Sequence, residues 1–199
     1  MTVDLDKGDT RLIIKECARQ GLSKAHTAYV LATAKWETNH TLKPVKEAYW
    51  LSEAWRKANL RYYPWYGRGY VQLTWKENYI KAGKKLGIDL TTNPDKVMEP
   101  EVSAKILVTG MKEGWFRGNK KLSDFVRFEE MRDIINGDSA KVNKGSGKRI
   151  DVTIADIARE YEKALPDAEV EKGVDKVSNE TVAWGELLKR ILQKLFGIR

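Results

Sequence analysis

Residues 61–75 read RYYPWYGRGYVQLTW. Six of the fifteen are aromatic, and Gly67 and Gly69 bracket Arg68. The run is too polar at its start for an ordinary core strand and too aromatic for an ordinary loop. Three uses suit it: core packing, a stacking platform for nucleic-acid bases, or the wall of a sugar-binding groove. Its second half, GYVQLT over residues 69–74, is the one stretch that reads as strand. On a strand Gln72 and Thr74 alternate and point the same way. Everything outward from it reads as helix, so the expected class is mainly α (α+β) with one small β element.

The helices are read from caps and periodicity. Asp9 is placed to cap a helix to about residue 20, stopped by Gly21, and Ser23 to cap a second carrying AHTAYVLATAKWETN. Residues 45–59, VKEAYWLSEAWRKAN, set Val45, Tyr49 and either Ser52 or Glu53 on one helical face. Residues 76–86 predict a helix stopped by Gly87. TTNPDKVMEPE (91–101) predicts a loop. From residue 101 to 115, Ala104, Leu107, Val108, Met111 and Trp115 fall on one helical stripe. Residues 123–136 predict one helix or two short ones, KVNKGSGKR (141–149) a flexible basic loop, and residues 152–165 a last helix closed by Pro166.

Beyond Pro166 the composition shifts. Residues 1–166 are expected to form the functional domain, and residues 167–180 a polar linker without aromatics. Residues 181–199 predict a cationic amphipathic helix: Trp184, Leu187, Leu188, Ile191, Leu192 and Leu195 share a face apart from Lys189, Arg190 and Lys194. Its apolar face suits packing on the domain or contact with a membrane surface.

Composition narrows the partners. Lys and Arg number 36 against 28 Asp and Glu, a net charge of +8 that favours an anionic polymer. Cys17 is the single cysteine, so no internal disulfide forms; with only His26 and His40 beside it, no Cys/His metal cluster assembles. No apolar run reaches the ~20 residues of a membrane span, and the first residues lack a signal core, so a cytoplasmic, soluble chain is expected. RGYVQL starts like the aromatic RNA-binding strand motif but departs from it at Val71 and Gln72, and no four-strand sheet surrounds it, so no nucleic-acid partner is expected.

Two carboxylates are candidates for chemistry. In the second helix Val30, Ala34 and Glu37 share a stripe, with Glu37 near the C-terminal end. Apolar surroundings and the negative end of the helix dipole both disfavour its charged form, which suits a general acid. The same position suits a boundary glutamate held by a salt bridge. Glu47 lies ten residues on, past Pro44, with Glu53 a rival; such a pair across a cleft is what glycoside hydrolysis uses.

Four segments carry a resemblance in their order: AKWETNHTLKPVKEAYWLSEAW, RYYPWYGRGYVQLTWKENY, AKILVTGMKEGWF and RDIING. Over roughly residues 25–165 the chain resembles the family-nineteen glycoside hydrolases, chitinase-like enzymes of lysozyme-like fold, and within them the phage and prophage endolysin branch. The resemblance implies that Glu37 is the general acid and Glu47 the general base. It implies that Thr74 holds the attacking water, that Gln72, Asn78 and Asn136 bind sugar, and that Tyr66 belongs to the cleft. It implies a structural role for Arg68, and no cofactor or metal. The implied partner is peptidoglycan or a chitin-like glycan, met after release from a host cytoplasm; a non-catalytic glycan-binding module is the alternative. Trp36 stands where His often precedes the acid, Glu77 where plant members carry Tyr, and 141–149 looks like an insertion.

Overall fold

The protein is described here from a computed structural model over residues 3–167. The expected linker from residue 168 on and the amphipathic helix over 181–199 lie outside the described residues. Among the described residues, six helices and one two-stranded sheet make the fold: α1 (Thr10–Arg19), α2 (Lys24–Glu37), β1 (Val45–Lys46), α3 (Glu53–Asn59), β2 (Arg68–Gly69), α4 (Lys76–Leu86), α5 (Pro100–Glu113) and α6 (Ile150–Ala164). Short 3-10 turns at Pro94–Met98, Arg117–Asn119, Leu122–Asp124 and Glu130–Ile134 join them.

The core is built around α2. Its residues 27–34 are buried on every side, as a helix without a polar face must be. α6 lies along it, burying Ile154, Ala155, Ala158 and Tyr161, while α1 and α5 pack against it and each other. Ser23 caps α2, its hydroxyl accepting from the His26 amide at 3.2 Å. At the other end the Thr38 hydroxyl donates to the Ala34 carbonyl at 2.7 Å and accepts from the Leu42 amide at 2.9 Å. Asn39, His40 and Leu42 then take left-handed backbone angles, which turns the chain out of the helix straight after Glu37. Asp9 precedes α1, but its carboxylate makes no cap bond; it accepts from the Tyr70 hydroxyl at 2.6 Å and pins the aromatic stretch to the core.

Three local expectations are corrected. Residues 45–59 are not one helix. Val45 and Lys46 pair antiparallel with Gly69 and Arg68, and Ala48 sits at φ +49°, which no α-helix contains. The buried Arg56 guanidinium, reaching back from α3 to the Glu47 and Ala48 carbonyls at 2.8 and 2.9 Å, holds this segment open. Helix begins only after Ser52, whose hydroxyl accepts from the Trp55 amide at 3.1 Å. Residues 69–74 are not a strand either: Arg68 and Leu73 bond each other through their backbones, so 69–72 is a tight loop closing on itself. Gly69 at φ +81° is required there, since a Cβ would lie 2.5 Å from the Ser103 hydroxyl. Residues 123–136 form 3-10 turns rather than α-helix. Long-range pairing overrode helical periodicity in the first case, and turn chemistry overrode alternation in the second.

Candidate active site

Residues 71–75 and Asn78 on one side, and Phe116, Arg117 and residues 135–137 on the other, enclose a groove of about 440 Å³. Gln72, Thr74 and Asn78 line it on one side, with Trp75; Asn136 and Gly137 line it on the other, with Phe116 and Arg117. Of the six residues expected at the site besides Glu37, the structure thus gathers four in one groove: Gln72, Thr74, Asn78 and Asn136.

Gly67 shows how Glu47 joins them. A Cβ built on Gly67 would lie 2.8 Å from Gln72 Oε1 and 3.3 Å from both Glu47 Oε2 and Thr74 Oγ1. The carboxylate and the threonine hydroxyl are therefore no further apart than twice that distance. The missing side chain is what lets the three groups converge. Glu47 is anchored by its own backbone, which donates to the Gly67 carbonyl at 2.7 Å. Its carboxylate accepts from the Gly67 amide at 2.9 Å and from the Tyr62 hydroxyl at 2.6 Å. Burial and the adjacent carboxylate push the Tyr62 phenol up to about 12, so it stays protonated and donates.

The Thr74 hydroxyl donates to the Gln72 carbonyl at 2.8 Å, which leaves its lone pairs to accept from a water. Gln72 and Thr74 do converge, though through a turn, with Gln72 at φ +52°, and not through strand alternation. The Gln72 amide donates to the Val45 and Gly69 carbonyls at 2.9 and 3.2 Å, so its nitrogen ties the loop to β1 and its oxygen faces Gly67. The Asn78 amide donates to the Thr74 carbonyl at 2.7 Å. Asn136 is exposed, its carbonyl oxygen accepting from the Gly137 amide at 2.8 Å.

Glu37 is the last residue of α2, and its side chain is 16% exposed. It accepts from Arg132 at 2.5 Å. Arg132, 2% exposed, also donates twice to Asp138, at 2.7 and 3.0 Å. Glu37 thus carries a salt bridge and is at the same time largely buried. Burial raises its carboxyl above the ordinary range, the Arg132 charge and hydrogen bond pull the other way, and Asp138 adds to the rise; the balance is upward. Burial pushes Asp138 up as well, but the hydrogen bonds and charge of Arg132 outweigh it and hold that carboxyl low. One cation, already engaged by Asp138, leaves Glu37 the more easily protonated of the two. Arg132 belongs to the turn that runs on into Asn136 and Gly137, which links Glu37 to the groove wall.

Tyr66 is corrected. It is fully buried, its ring under the Arg68 guanidinium at 3.6 Å and its hydroxyl donating to Glu53 at 2.9 Å. It lies beneath the cleft and has no exposed surface with which to line the groove. Glu53, held by Tyr66 and by Arg56 at 3.2 Å, faces that support and not Thr74. Arg68 bonds Asp95 at 2.7 Å, the Pro64 carbonyl at 2.8 Å and the Tyr79 hydroxyl at 3.0 Å. Sequence reasoning missed Arg132, Asp138 and Tyr62. The 95-residue separation of Glu37 and Arg132 gives no local signal, whereas Tyr62 lay in plain view within an aromatic run.

Residues 29–116 match the glycoside hydrolase family 19 model, described as chitinase class I. Chitinase 11 of Oryza sativa subsp. japonica is 56% identical over 41 residues, which are 21% of this chain and 16% of that protein. Chitinase 8 of the same plant is 45% identical over 62 residues, 29% of this chain and 22% of that protein. The chain thus spans less than a quarter of the length of either curated relative. The crystal structure of chitinase C from Streptomyces griseus HUT6037 is similar with a TM-score of 0.55 and 26% identity, over 70% of this chain and 59% of that one.

Proposed function

From the match of residues 29–116 to the glycoside hydrolase family 19 model, we propose an inverting hydrolase of β-1,4-linked N-acetylated glycans, acting as an endolysin on the peptidoglycan backbone. The convergence of Glu47, Thr74 and Gln72 over Gly67, at the edge of a groove lined by polar amides, carries this reading. In the proposed reaction Glu37, its carboxyl raised by burial, gives its proton to the leaving oxygen. A water accepted by Thr74 Oγ1 loses its proton to Glu47 and attacks the anomeric carbon from the opposite face. Arg132 then holds the Glu37 carboxylate that the transfer creates. Gln72, Asn78 and Asn136 seat the sugar.

The excess of Lys and Arg over Asp and Glu, 36 to 28, supports an anionic wall as substrate. The names of the rice and Streptomyces relatives support the second reading, chitin. Turbidity assays on purified peptidoglycan and on chitin, with analysis of the new reducing ends, separate them. Glu37→Gln is expected to abolish hydrolysis of either polymer with thermal unfolding unchanged; a fully active variant refutes the assignment. The amphipathic segment 181–199 is proposed to bring the enzyme to a membrane surface, supported by its sequence pattern. Deleting residues 167–199 is expected to lower binding to anionic vesicles, and unchanged binding rejects that role.

A further inference from the structure

We propose that Arg61 selects for an acidic glycan: its guanidinium, on the rim of the groove, takes a carboxylate of the peptide stem that peptidoglycan carries and chitin lacks. The proposal rests on the peptidoglycan reading of the site and names the residue that would enforce it.

The groove itself does not choose between the two polymers. Gln72, Asn78 and Asn136 offer neutral amides, and both polymers present N-acetylated sugars to them. Arg117 is the one charged residue that lines the groove, and its guanidinium already donates to Asp133 at 2.6 Å. What separates the polymers chemically is a substituent. In peptidoglycan every second sugar bears a lactyl ether that carries a short peptide with free carboxylates. Such a chain stands off the ring. A residue that reads it therefore belongs on the rim, outside the space that the sugars fill.

Arg61 meets that requirement. Every other arginine among the described residues has a carboxylate within ion-pair distance. Its neighbours in sequence do so as well, Arg56 with Glu53 at 3.2 Å and Arg68 with Asp95 at 2.7 Å. Arg61 is exposed, and no carboxylate among the described residues pairs with it. The guanidinium is nonetheless held: it rests over the Trp75 ring of the groove wall, 5.0 Å from the centroid. A guanidinium carried on an aromatic face keeps its N–H edge free, and that edge matches a carboxylate in a two-bond fork. Its charge is felt at the Tyr62 phenol, whose hydroxyl donates to Glu47 at 2.6 Å, so it stands near the carboxylate assigned as base. Lys76 adds a second exposed cation directly after Trp75, its ammonium over the Trp65 ring at 4.9 Å. Lys76 opens α4, where the helix dipole favours acids, and Glu77, the acid of that first turn, pairs with neither cation. The rim beside Trp75 thus holds positive charge that the described residues leave unneutralised.

The test is co-sedimentation of the full chain with purified sacculi, and with the same sacculi after their carboxylates have been converted to neutral amides. The parent should prefer the untreated sacculi. Arg61→Gln should cut that preference about fivefold, the span between an exposed ion pair and a charged hydrogen bond. Arg61→Lys should fall between the two, since it keeps the charge and loses the fork. Lys15→Gln removes the same charge from an exposed position on α1 and should leave the preference at the parental value. A parent without preference, an unchanged preference in Arg61→Gln, or an equal cut in Lys15→Gln overturns the proposal. In turnover, the ratio of kcat/KM on sacculi to that on a neutral N-acetylglucosamine oligomer should fall in Arg61→Gln by the same factor, and an unchanged ratio counts against it. A parent that cleaves chitin alone refutes the peptidoglycan reading, and the sedimentation then judges Arg61 by itself.

Discussion

Replacing Arg132 with methionine tests the electrostatic arrangement of the acid. Its guanidinium makes one bond to Glu37 and two to Asp138, at 2.5, 2.7 and 3.0 Å. The three side chains are 2%, 16% and 15% exposed, so the substitution leaves two carboxylates facing an apolar gap. Removing one partner of a buried ion pair costs about 3–5 kcal/mol. For a domain of this size that is a fall in Tm of about 6–20 °C at neutral pH. The pH dependence carries the sharper test. In the parent, Asp138 lies below the ordinary range, so its contribution is present above the unfolded carboxyl pKa and lost as the pH falls through the folded one. Glu37 is raised, so its contribution is full below the unfolded glutamate pKa and lost as the pH rises through the folded one. Without Arg132, Asp138 joins Glu37 on the raised side, and both escape the penalty by taking up protons. The deficit measured by thermal unfolding should be large near about pH 7.5 and shrink toward about pH 4. Equal deficits at both pH values, or a deficit below about 2 °C at neutral pH, refute the reasoning.

Three further outcomes follow from the same geometry. Glu47→Gln should lower kcat at least about a hundredfold, in the range of general-base catalysis, while Glu53→Gln should act chiefly on stability by leaving the Tyr66 hydroxyl poorly paired; the reverse pattern in kinetics and melting would move the base to Glu53. Gly67→Ala drives a methyl against Gln72 and the Glu47–Thr74 pair, so kcat should fall about a hundredfold with only about 1–3 kcal/mol of stability lost from the displaced Gln72 bonds; an active variant in a crystal structure with unmoved side chains would contradict the packing. Because burial raises the Glu37 carboxyl, the alkaline decline of the rate should set in above the ordinary glutamate range; a decline that begins within the ordinary range would count against Glu37 as the acid.

Legibility in the sequence follows the reach of the interactions. α1, α2, α4, α5 and α6 were all expected close to where they stand, because caps such as Ser23 and stops such as Gly87, at φ +67°, act within one turn. The apolar stripe of α5 needed no tertiary information either. Residues 45–52 were unreadable because their state depends on Gly67 to Gly69 and on Arg56, partners that local periodicity cannot see. The carboxylates were visible as residue types, and the resemblance placed Thr74, Gln72, Asn78 and Asn136 in roles whose shared groove no local rule could show. Tyr66 misled because a tyrosine beside a glycine-rich motif reads equally well as wall or as support, and only burial separates the two.

The failures of local reasoning are not scattered. Among the described residues, six of the seven non-glycine positions with positive φ fall between Asn39 and Trp75: Asn39, His40, Leu42, Ala48, Gln72 and Trp75. They follow Glu37, flank Glu47 and bracket Thr74. Each is a place where intrinsic preference gave way, at a cost of about 1–3 kcal/mol for the more hindered ones. That cost is offset by a core built chiefly from α1, α2, α5 and α6, to which Leu42, Tyr70, Val71 and Leu73 of the irregular stretch also contribute. The division has a physical reason. A groove lined by Gln72, Thr74 and Asn78, with the Glu47 carboxylate and the Thr74 hydroxyl each 3.3 Å from a Cβ at Gly67, needs backbone turns that helices and strands do not supply. So the chain concentrates its irregular backbone in one stretch of sequence and leaves regular structure to hold that stretch in place. RYYPWYGRGYVQLTW resists assignment as strand, loop or core because its aromatics anchor the stretch beneath the groove while its last residues turn away from every regular form to line it.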